Sequence, residues 1–122
     1  MKTKLLCGIA STLFLSACGQ PEPITYESLS LVNNYYVEHP VQSLTPTAGV
    51  WLFRGARDYG NEIRVDFLVP RSLNPDKAKR HAVLDQVCPA RSEILWQVLP
   101  SGNKIVISVF TEDSKFKDQV IC

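Results

Sequence analysis

The most constraining stretch of this sequence is Glu62–Val69, where apolar and charged residues alternate over most of its length. Ile63, Val65, Phe67 and Val69 fall on one side and alternate with the charged residues Glu62, Arg64 and Asp66. This alternation predicts a half-buried antiparallel strand. The apolar run of residues 50–54 predicts a second strand, and the intervening polar residues 57–61 predict a turn. The two strands should therefore form a hairpin.

A helix is predicted after this hairpin. Pro70 ends the strand, and Asn74-Pro75-Asp76 supplies an N-cap residue, a proline at the first helical position and an acid in the first turn. The helix should extend to Val87 or Cys88, because Pro89 follows. Its C-terminal half carries the apolar residues that would pack on the sheet, namely Val83, Leu84, Val87 and Cys88.

Two more strands are predicted over residues 93–99 and 104–110, joined by a turn at 100–103, and residues 119–122 could add a short final strand. The predicted fold is therefore an α+β domain over residues 50–122. It would consist of a small antiparallel sheet in ββαββ order with one helix packed on it. Apolar residues on both faces of three strands suggest a second buried face, covered either by residues 26–37 or by another protein.

The N-terminus has the three parts of a secretory signal. Lys2 and Lys4 form a basic start, residues 5–15 form an apolar segment too short to span a bilayer, and small residues then precede a cysteine. The sequence Leu15-Ser16-Ala17-Cys18 resembles the processing site of bacterial lipoproteins. This resemblance covers residues 1–19 only, and the alternative is an ordinary cleaved signal peptide with a coincidental cysteine.

The resemblance implies that residues 1–17 are removed and that Cys18 becomes a lipidated N-terminus. Gly19 follows, in place of the aspartate that marks retention in the inner membrane of enteric bacteria. The expected location is therefore the outer membrane, with the domain in the periplasm. Residues 18–49 would form a tether with partial local structure. Leu29, Val32 and Tyr36 have helical spacing, although residues 35–37 could equally form a short strand. Because this part is too apolar for a solvated spacer, it would either pack on the domain or dock a partner.

The remaining cysteines agree with export. Cys7 would be discarded with the signal and Cys18 would carry lipid, which leaves Cys88 and Cys122 as an even pair in an oxidising compartment. A disulfide between them is the simplest expectation. A redox or metal pair is the alternative, which the wide spacing and the lack of a CxxC motif disfavour.

Charge and motifs limit the functional classes. The formal net charge is +1, and loss of Lys2 and Lys4 would make it slightly negative, so nucleic acid is not an expected partner. No common hydrolase, nucleotide or metal motif occurs. His39 and His81 are expected to be surface residues. We therefore expect no catalytic residue, no metal and no cofactor.

Two sets of residues could contact a partner. The first is a basic cluster around the helix, which would either be a solvated helix face or bind an acidic protein or an anionic glycan. The second consists of two polar loops. The basic residues are Arg71, Lys77, Lys79, Arg80 and Arg91, and the loop residues are Asp58, Tyr59, Gly60, Ser101 and Gly102.

The sequence thus favours a non-enzymatic outer-membrane lipoprotein. It would attach to the membrane through the lipid on Cys18 and bind an envelope protein as an accessory or assembly subunit of a secretion, conjugation or pilus complex. The alternative is a periplasmic inhibitor or immunity protein directed against a cell-wall hydrolase, in which one of the two loops would enter the hydrolase.

Overall fold

A computed structural model describes residues 22–41, 51–70, 75–115 and 117–122 of the chain. These residues form three helices and four strands. In chain order the elements are α1 (Tyr26–Glu38), β1 (Leu52–Asp58), β2 (Glu62–Val69), α2 (Lys77–Asp85), α3 (Leu95–Val98), β3 (Lys104–Thr111) and β4 (Lys117–Ile121).

The described strands form one sheet in the order β1-β2-β3-β4. The two outer pairs are antiparallel, whereas β2 and β3 are parallel. The α+β class and the single Cys88–Cys122 disulfide are confirmed. The predicted ββαββ order and the wholly antiparallel sheet are wrong, because a helix precedes the strands and the sheet is mixed.

The main error lies in residues 93–99, which were predicted to be a strand but contain the short helix α3. The amide N–H groups of Val98 and Leu99 donate to the carbonyl oxygens of Ile94 and Leu95, which is the helical pattern. In this short apolar run, Ile94, Trp96 and Val98 alternate as in a strand, whereas Leu95 and Leu99 lie four residues apart as in a helix. The spacing of apolar residues therefore does not distinguish a helix from a strand here. With no strand here, the connection between β2 and β3 contains α2 and α3, the helical crossover that a parallel pair requires.

The predicted hairpin of β1 and β2 is confirmed, with a tighter turn than expected. Arg57 and Asp58 pair with Arg64 and Ile63 as strand residues, and the Tyr59 amide donates to the Glu62 carbonyl oxygen at 2.9 Å. Gly60 has φ +92, a value that favours glycine at this tight turn. A bulge interrupts β1 between Phe53 and Gly55.

Helix α2 begins later than predicted. Asp76 is the N-cap, and its side chain accepts a hydrogen bond from the Ala78 amide. Asn74, the predicted N-cap, lies outside the described residues. After Asp85, the amides of Gln86, Val87 and Cys88 donate three residues back, so the chain continues in tight turns up to Cys88.

Helix α1 packs on the sheet, which answers the question left open for residues 26–37. Thr25 caps it by accepting a hydrogen bond from the Ser28 amide. Val32 and Tyr36 are buried in the core, and the Tyr36 hydroxyl donates to the Val87 carbonyl oxygen at 2.7 Å. The folded unit therefore includes residues that the sequence placed in the tether.

The core lies between one face of the sheet and the three helices. The alternating residues of β2 and β3 point into it, together with Leu84 of α2 and Leu95 of α3. The aromatic rings of Tyr36, Trp51 and Phe53 surround the Phe67 ring at centroid distances of 5.5–5.9 Å. The helices thus cover one face of the sheet.

Candidate functional site: the open face of the sheet

The opposite face of the sheet, here called the open face, carries Arg57, Arg64, Asp66, Ser108 and Gln119. The strand register aligns its side chains in rows that cross the strands. The middle row is Gly55, Asp66, Ser108 and Gln119, since each of these residues is paired with the next. These side chains are short or polar, so the middle row forms the floor of a groove.

Longer side chains border the groove on both sides. One flanking row is Arg57, Arg64, Val106 and Ile121, and the other is Leu52, Leu68, Phe110 and Lys117. From these rows, Arg57, Arg64, Phe110 and Lys117 line a groove of about 610 Å³, together with Tyr59. That volume lies within the range of sites that hold a small molecule or a short segment of a partner.

Gly55 opens one end of the middle row. It has φ +120 next to the bulge, a backbone conformation that residues with a side chain rarely adopt. A bulge here therefore selects a residue with no side chain, so no side chain rises from the open face at this position.

Arg64 is held in place at one border of the groove. Its guanidinium lies 2.9 Å from the Glu62 carboxylate and 4.0 Å from the centre of the Tyr59 ring. Hydrogen bonding to Glu62, together with nearby negative groups, raises the pKa of the Arg64 guanidinium despite some burial. The result is a fixed cation that lies over an aromatic ring.

Asp66 is the acidic residue of the groove floor, and its environment does not favour its charge. Burial raises the pKa of its carboxyl above the ordinary value, while Arg57 and Arg64 lower it only in part. The Arg57 Nε lies 3.6 Å from the carboxylate, and the Arg57 side chain is 62% exposed. Such a loose pair leaves Arg57 free to reorient toward a ligand.

The two predicted loops meet at one end of the sheet. The Lys104 amide donates to the Asn61 carbonyl oxygen at 3.1 Å, and the Asn103 side chain donates to the same oxygen at 3.2 Å. The parallel pairing explains this meeting, because the start of β2 and the start of β3 lie at the same end. The two loops are thus neighbours. All five predicted loop residues are exposed, namely Asp58, Tyr59, Gly60, Ser101 and Gly102.

The predicted basic cluster is divided by its contacts. Arg80 is half-buried and donates to Asp118 at 2.7 Å, so it links α2 to β4. The Arg91 guanidinium lies 4.0 Å from the centre of a ring of Trp96. Lys77 and Lys79 are exposed at the start of α2. Arg71 lies outside the described residues.

Asp118 receives hydrogen bonds from two elements. Besides Arg80, the Gln119 amide donates to it at 2.8 Å and the His81 Nε2 lies 3.1 Å away. Burial raises the pKa of Asp118, but these hydrogen bonds outweigh it and hold the pKa below the usual range. His81, which was expected to be a surface residue, is partly exposed and has Asp118 as a structural partner.

The disulfide joins the end of α2 to the end of β4. The Cα atoms of Cys88 and Cys122 are 5.6 Å apart, a normal separation for a disulfide. The disulfide thus holds this part of the chain to β4 at a second point, in addition to the contact that Asp118 makes with α2. Cys18, the predicted lipidation site, lies outside the described residues.

The chemistry of the open face suits binding. Within residues 22–41, 51–70, 75–115 and 117–122, no group of three or more His, Cys, Asp or Glu side chains could hold a metal ion. None of the helices in that part of the chain has the length and hydropathy of a membrane span. The groove offers cations, an aromatic ring, the carboxyl of Asp66 and neutral hydrogen-bonding groups.

Comparison with protein-family models, curated proteins and solved structures found no match to this chain.

Proposed function

We propose that this protein is a non-enzymatic, lipid-anchored binding subunit of the outer membrane that uses its open face to hold an acidic segment of another envelope protein. The anchor would be the lipid on Cys18, with the domain in the periplasm. The observation that carries the proposal is the groove on the open face. Cys88 and Cys122, joined in the structure, support an oxidising compartment.

The charge of the groove indicates the chemistry of the partner. Its lining includes the cations Arg57, Arg64 and Lys117. The lining also holds two acids, Asp66 and Asp118, and Asp118 is engaged by Arg80 and His81. The cations of the lining thus outnumber its acids, which favours carboxylates on the partner. Arginine pairs with carboxylates in a bidentate manner, so Arg57 is well suited to this contact.

Photo-crosslinking in the native cell tests the proposal. A photoreactive residue replaces Gln119 on the open face or, as the matched control, Gln97 on α3; both glutamines are exposed. We expect a defined adduct with an envelope protein from position 119 and none from position 97. Equal adducts from both positions, or none from position 119, would contradict the proposal.

A charge-reversal pair tests the sign of the contact. Arg57→Glu places an acid in the groove, whereas Arg54→Glu changes an exposed arginine of the same strand that does not line the groove. With the crosslinker at position 119, Arg57→Glu should abolish the adduct and Arg54→Glu should leave it unchanged. Equal effects of the two substitutions would rule out an acidic segment in the groove.

The convergence of the two loops supports the inhibitor hypothesis as a second candidate. Tyr59, Gly60, Ser101 and Gly102 form one exposed end that could block a cleft. This reading predicts inhibition of a lysozyme or an amidase by the purified protein at micromolar concentration. It also predicts loss of that inhibition on Tyr59→Ala, and an absence of inhibition would dismiss it.

A further inference from the structure

We infer that the end of the domain carrying the two loops lies against the membrane surface, so that the strands point away from the bilayer. This inference rests on the proposed lipidation of Cys18. It concerns a second contact, made by the folded domain with lipid headgroups. The end in question, here called the loop end, consists of residues 22–26, 58–61 and 101–103.

The stretch of chain between the lipid and the domain is short. The folded unit already includes Glu22, whose carbonyl oxygen accepts a hydrogen bond from the Asn103 side chain at 2.6 Å. Two residues later, the Ile24 amide donates to the Gly60 carbonyl oxygen at 3.3 Å. Four steps of chain separate Cys18 from Glu22, and these reach at most about 14 Å when fully extended.

This distance is much shorter than the sequence suggested. A tether over residues 18–49 could have lifted the domain far from the membrane, but α1 lies within that range and packs in the core. A span of about 14 Å is comparable with the radius of gyration of a domain of roughly 100 residues. The residues next to Glu22 therefore face the bilayer.

The surface chemistry of the loop end agrees with this orientation. Tyr26 is 87% exposed and Tyr59 is 46% exposed, and tyrosine is enriched at membrane–water interfaces, where its ring lies among the headgroups. Glu22 and Asp58 are also exposed there. Attraction to anionic lipid would not produce this contact, so we assign a zwitterionic surface as its partner.

The orientation also sets the direction of the groove. Because the strands leave the membrane at their loop end, the groove that crosses them runs parallel to the bilayer. Asp66 lies four residues beyond Glu62, which places the groove floor about 13 Å farther from the membrane than the loop end. An extended segment bound in the groove would therefore lie along the membrane surface.

Spin labelling of the lipidated protein in vesicles tests the inference. Single labels are attached at Ser101→Cys in the loop end or, as the matched control, at Glu112→Cys beyond the far end of β3; both residues are exposed turn residues. The vesicles are phosphatidylcholine with a small share of nickel-chelating lipid, which relaxes only nearby labels. We expect loss of signal at position 101 and an unchanged signal at position 112.

A lengthened variant provides the internal control. Inserting about 20 Gly/Ser residues after Gln20 gives a flexible spacer with a root-mean-square reach of roughly 25 Å. In this variant the difference between the two labels should disappear. Equal relaxation of both labels in the native-length protein would overturn the inference, as would an unchanged difference in the lengthened one.

Mass spectrometry of the N-terminal peptide distinguishes a wrong orientation of the domain from the absence of the lipid anchor. If Cys18 carries acyl chains and the labels do not differ, the orientation is wrong and the lipid anchor stands. If Cys18 carries no lipid, the anchor is wrong and the inferred orientation falls with it. Replacing part of the phosphatidylcholine with anionic lipid should leave the difference unchanged, and a strengthened difference would overturn the assignment of a zwitterionic surface.

Discussion

Two aspartates of the sheet experience opposite environments. Burial, its largest influence, raises the pKa of Asp66, and the neighbouring arginines offset this only in part. Burial also acts on Asp118, but its hydrogen bonds from Arg80, the Gln119 amide and His81 prevail and lower its pKa. A pKa that differs between the folded and unfolded chain makes stability depend on pH. The two aspartates should therefore change the free energy of unfolding in opposite directions.

For Asp118, the folded state favours the charged carboxylate. Its contribution to stability is present above the unfolded pKa and is lost as the pH falls through the lowered folded pKa. Asp118→Asn should thus cost about 1–2 kcal/mol at neutral pH, and this cost should shrink below about pH 4. Urea unfolding at a series of pH values measures it. A cost that does not depend on pH would contradict this prediction.

For Asp66, the folded state favours the neutral form. Its contribution is fully present below the unfolded pKa and is lost as the pH rises through the raised folded pKa. Relative to the native protein, Asp66→Asn should therefore become more stable as the pH rises from about 3 to 6. The same urea series measures this change, with Asp118→Asn as the control of opposite slope. Parallel slopes for the two variants would show that burial does not dominate at Asp66.

Among the elements, α2 and β4 are joined at two points. The first is the ion-pair group of Arg80, His81 and Asp118, and the second is the disulfide between Cys88 and Cys122. Asp118 lies on the edge strand β4 and Cys122 directly follows this strand, which pairs with β3 alone among the described strands. Edge strands fray most readily, so both links act where the sheet is weakest.

Removal of the disulfide should therefore be costly. The Cys88→Ala/Cys122→Ala double variant opens a loop with a sequence separation of 34, and the chain-entropy account predicts a loss of about 3–4 kcal/mol. Urea unfolding of the variant measures this loss, and reduction of the native protein should reproduce it. An unchanged unfolding midpoint would mean that the ion-pair group alone retains β4.

The elements that the sequence predicted correctly are those in which local signals agree. In β2, every second residue is apolar and β-branched or aromatic residues supply most of the inward face. In α2, an N-cap region and an apolar stripe occur together. Residues 93–99 lack such agreement, since Leu95 and Leu99 fit a helix as well as Ile94 and Trp96 fit a strand. The wrong expectation of a wholly antiparallel sheet followed from that error, because a strand over residues 93–99 would have replaced the helical crossover between β2 and β3.

For the whole molecule, α1 completes the core. Val32 and Tyr36 are buried, and Tyr36 contacts Phe53, Phe67 and the Val87 carbonyl. Asn33 also accepts a hydrogen bond from the Ala56 amide on the edge strand β1. The sheet and the two later helices therefore leave apolar surface exposed if α1 is missing.

Truncation tests this dependence. A chain of residues 50–122, the domain bounds that the sequence suggested, should fail to unfold cooperatively, because loss of one large buried side chain alone costs about 2–5 kcal/mol. A chain of residues 22–122 should unfold cooperatively and keep its near-ultraviolet circular dichroism. Cooperative unfolding of the shorter chain would show that α1 is dispensable.

The candidate site could not be predicted from the sequence because it depends on strand register. Asp66 and Ser108 are far apart in the chain and become neighbours only through the parallel pairing, and Gln119 joins them through β4. The alternation in β2 placed Arg64 and Asp66 on the polar face, which was the available signal. The loop residues were found because turn-forming residue types mark exposed positions.

The parallel pairing at the centre of the sheet also shapes how the chain folds. The β1–β2 hairpin closes locally, and β3 and β4 lie close together in the sequence, whereas Glu62 must find Lys104 across the entire helical crossover. Loop closure of this length costs entropy before any contact offsets it, so this step should limit the folding rate. Until then, two hairpins present unpaired inner edges that could pair with other chains. Variants that weaken β2–β3 contacts are thus expected to aggregate during folding more than those that weaken either hairpin.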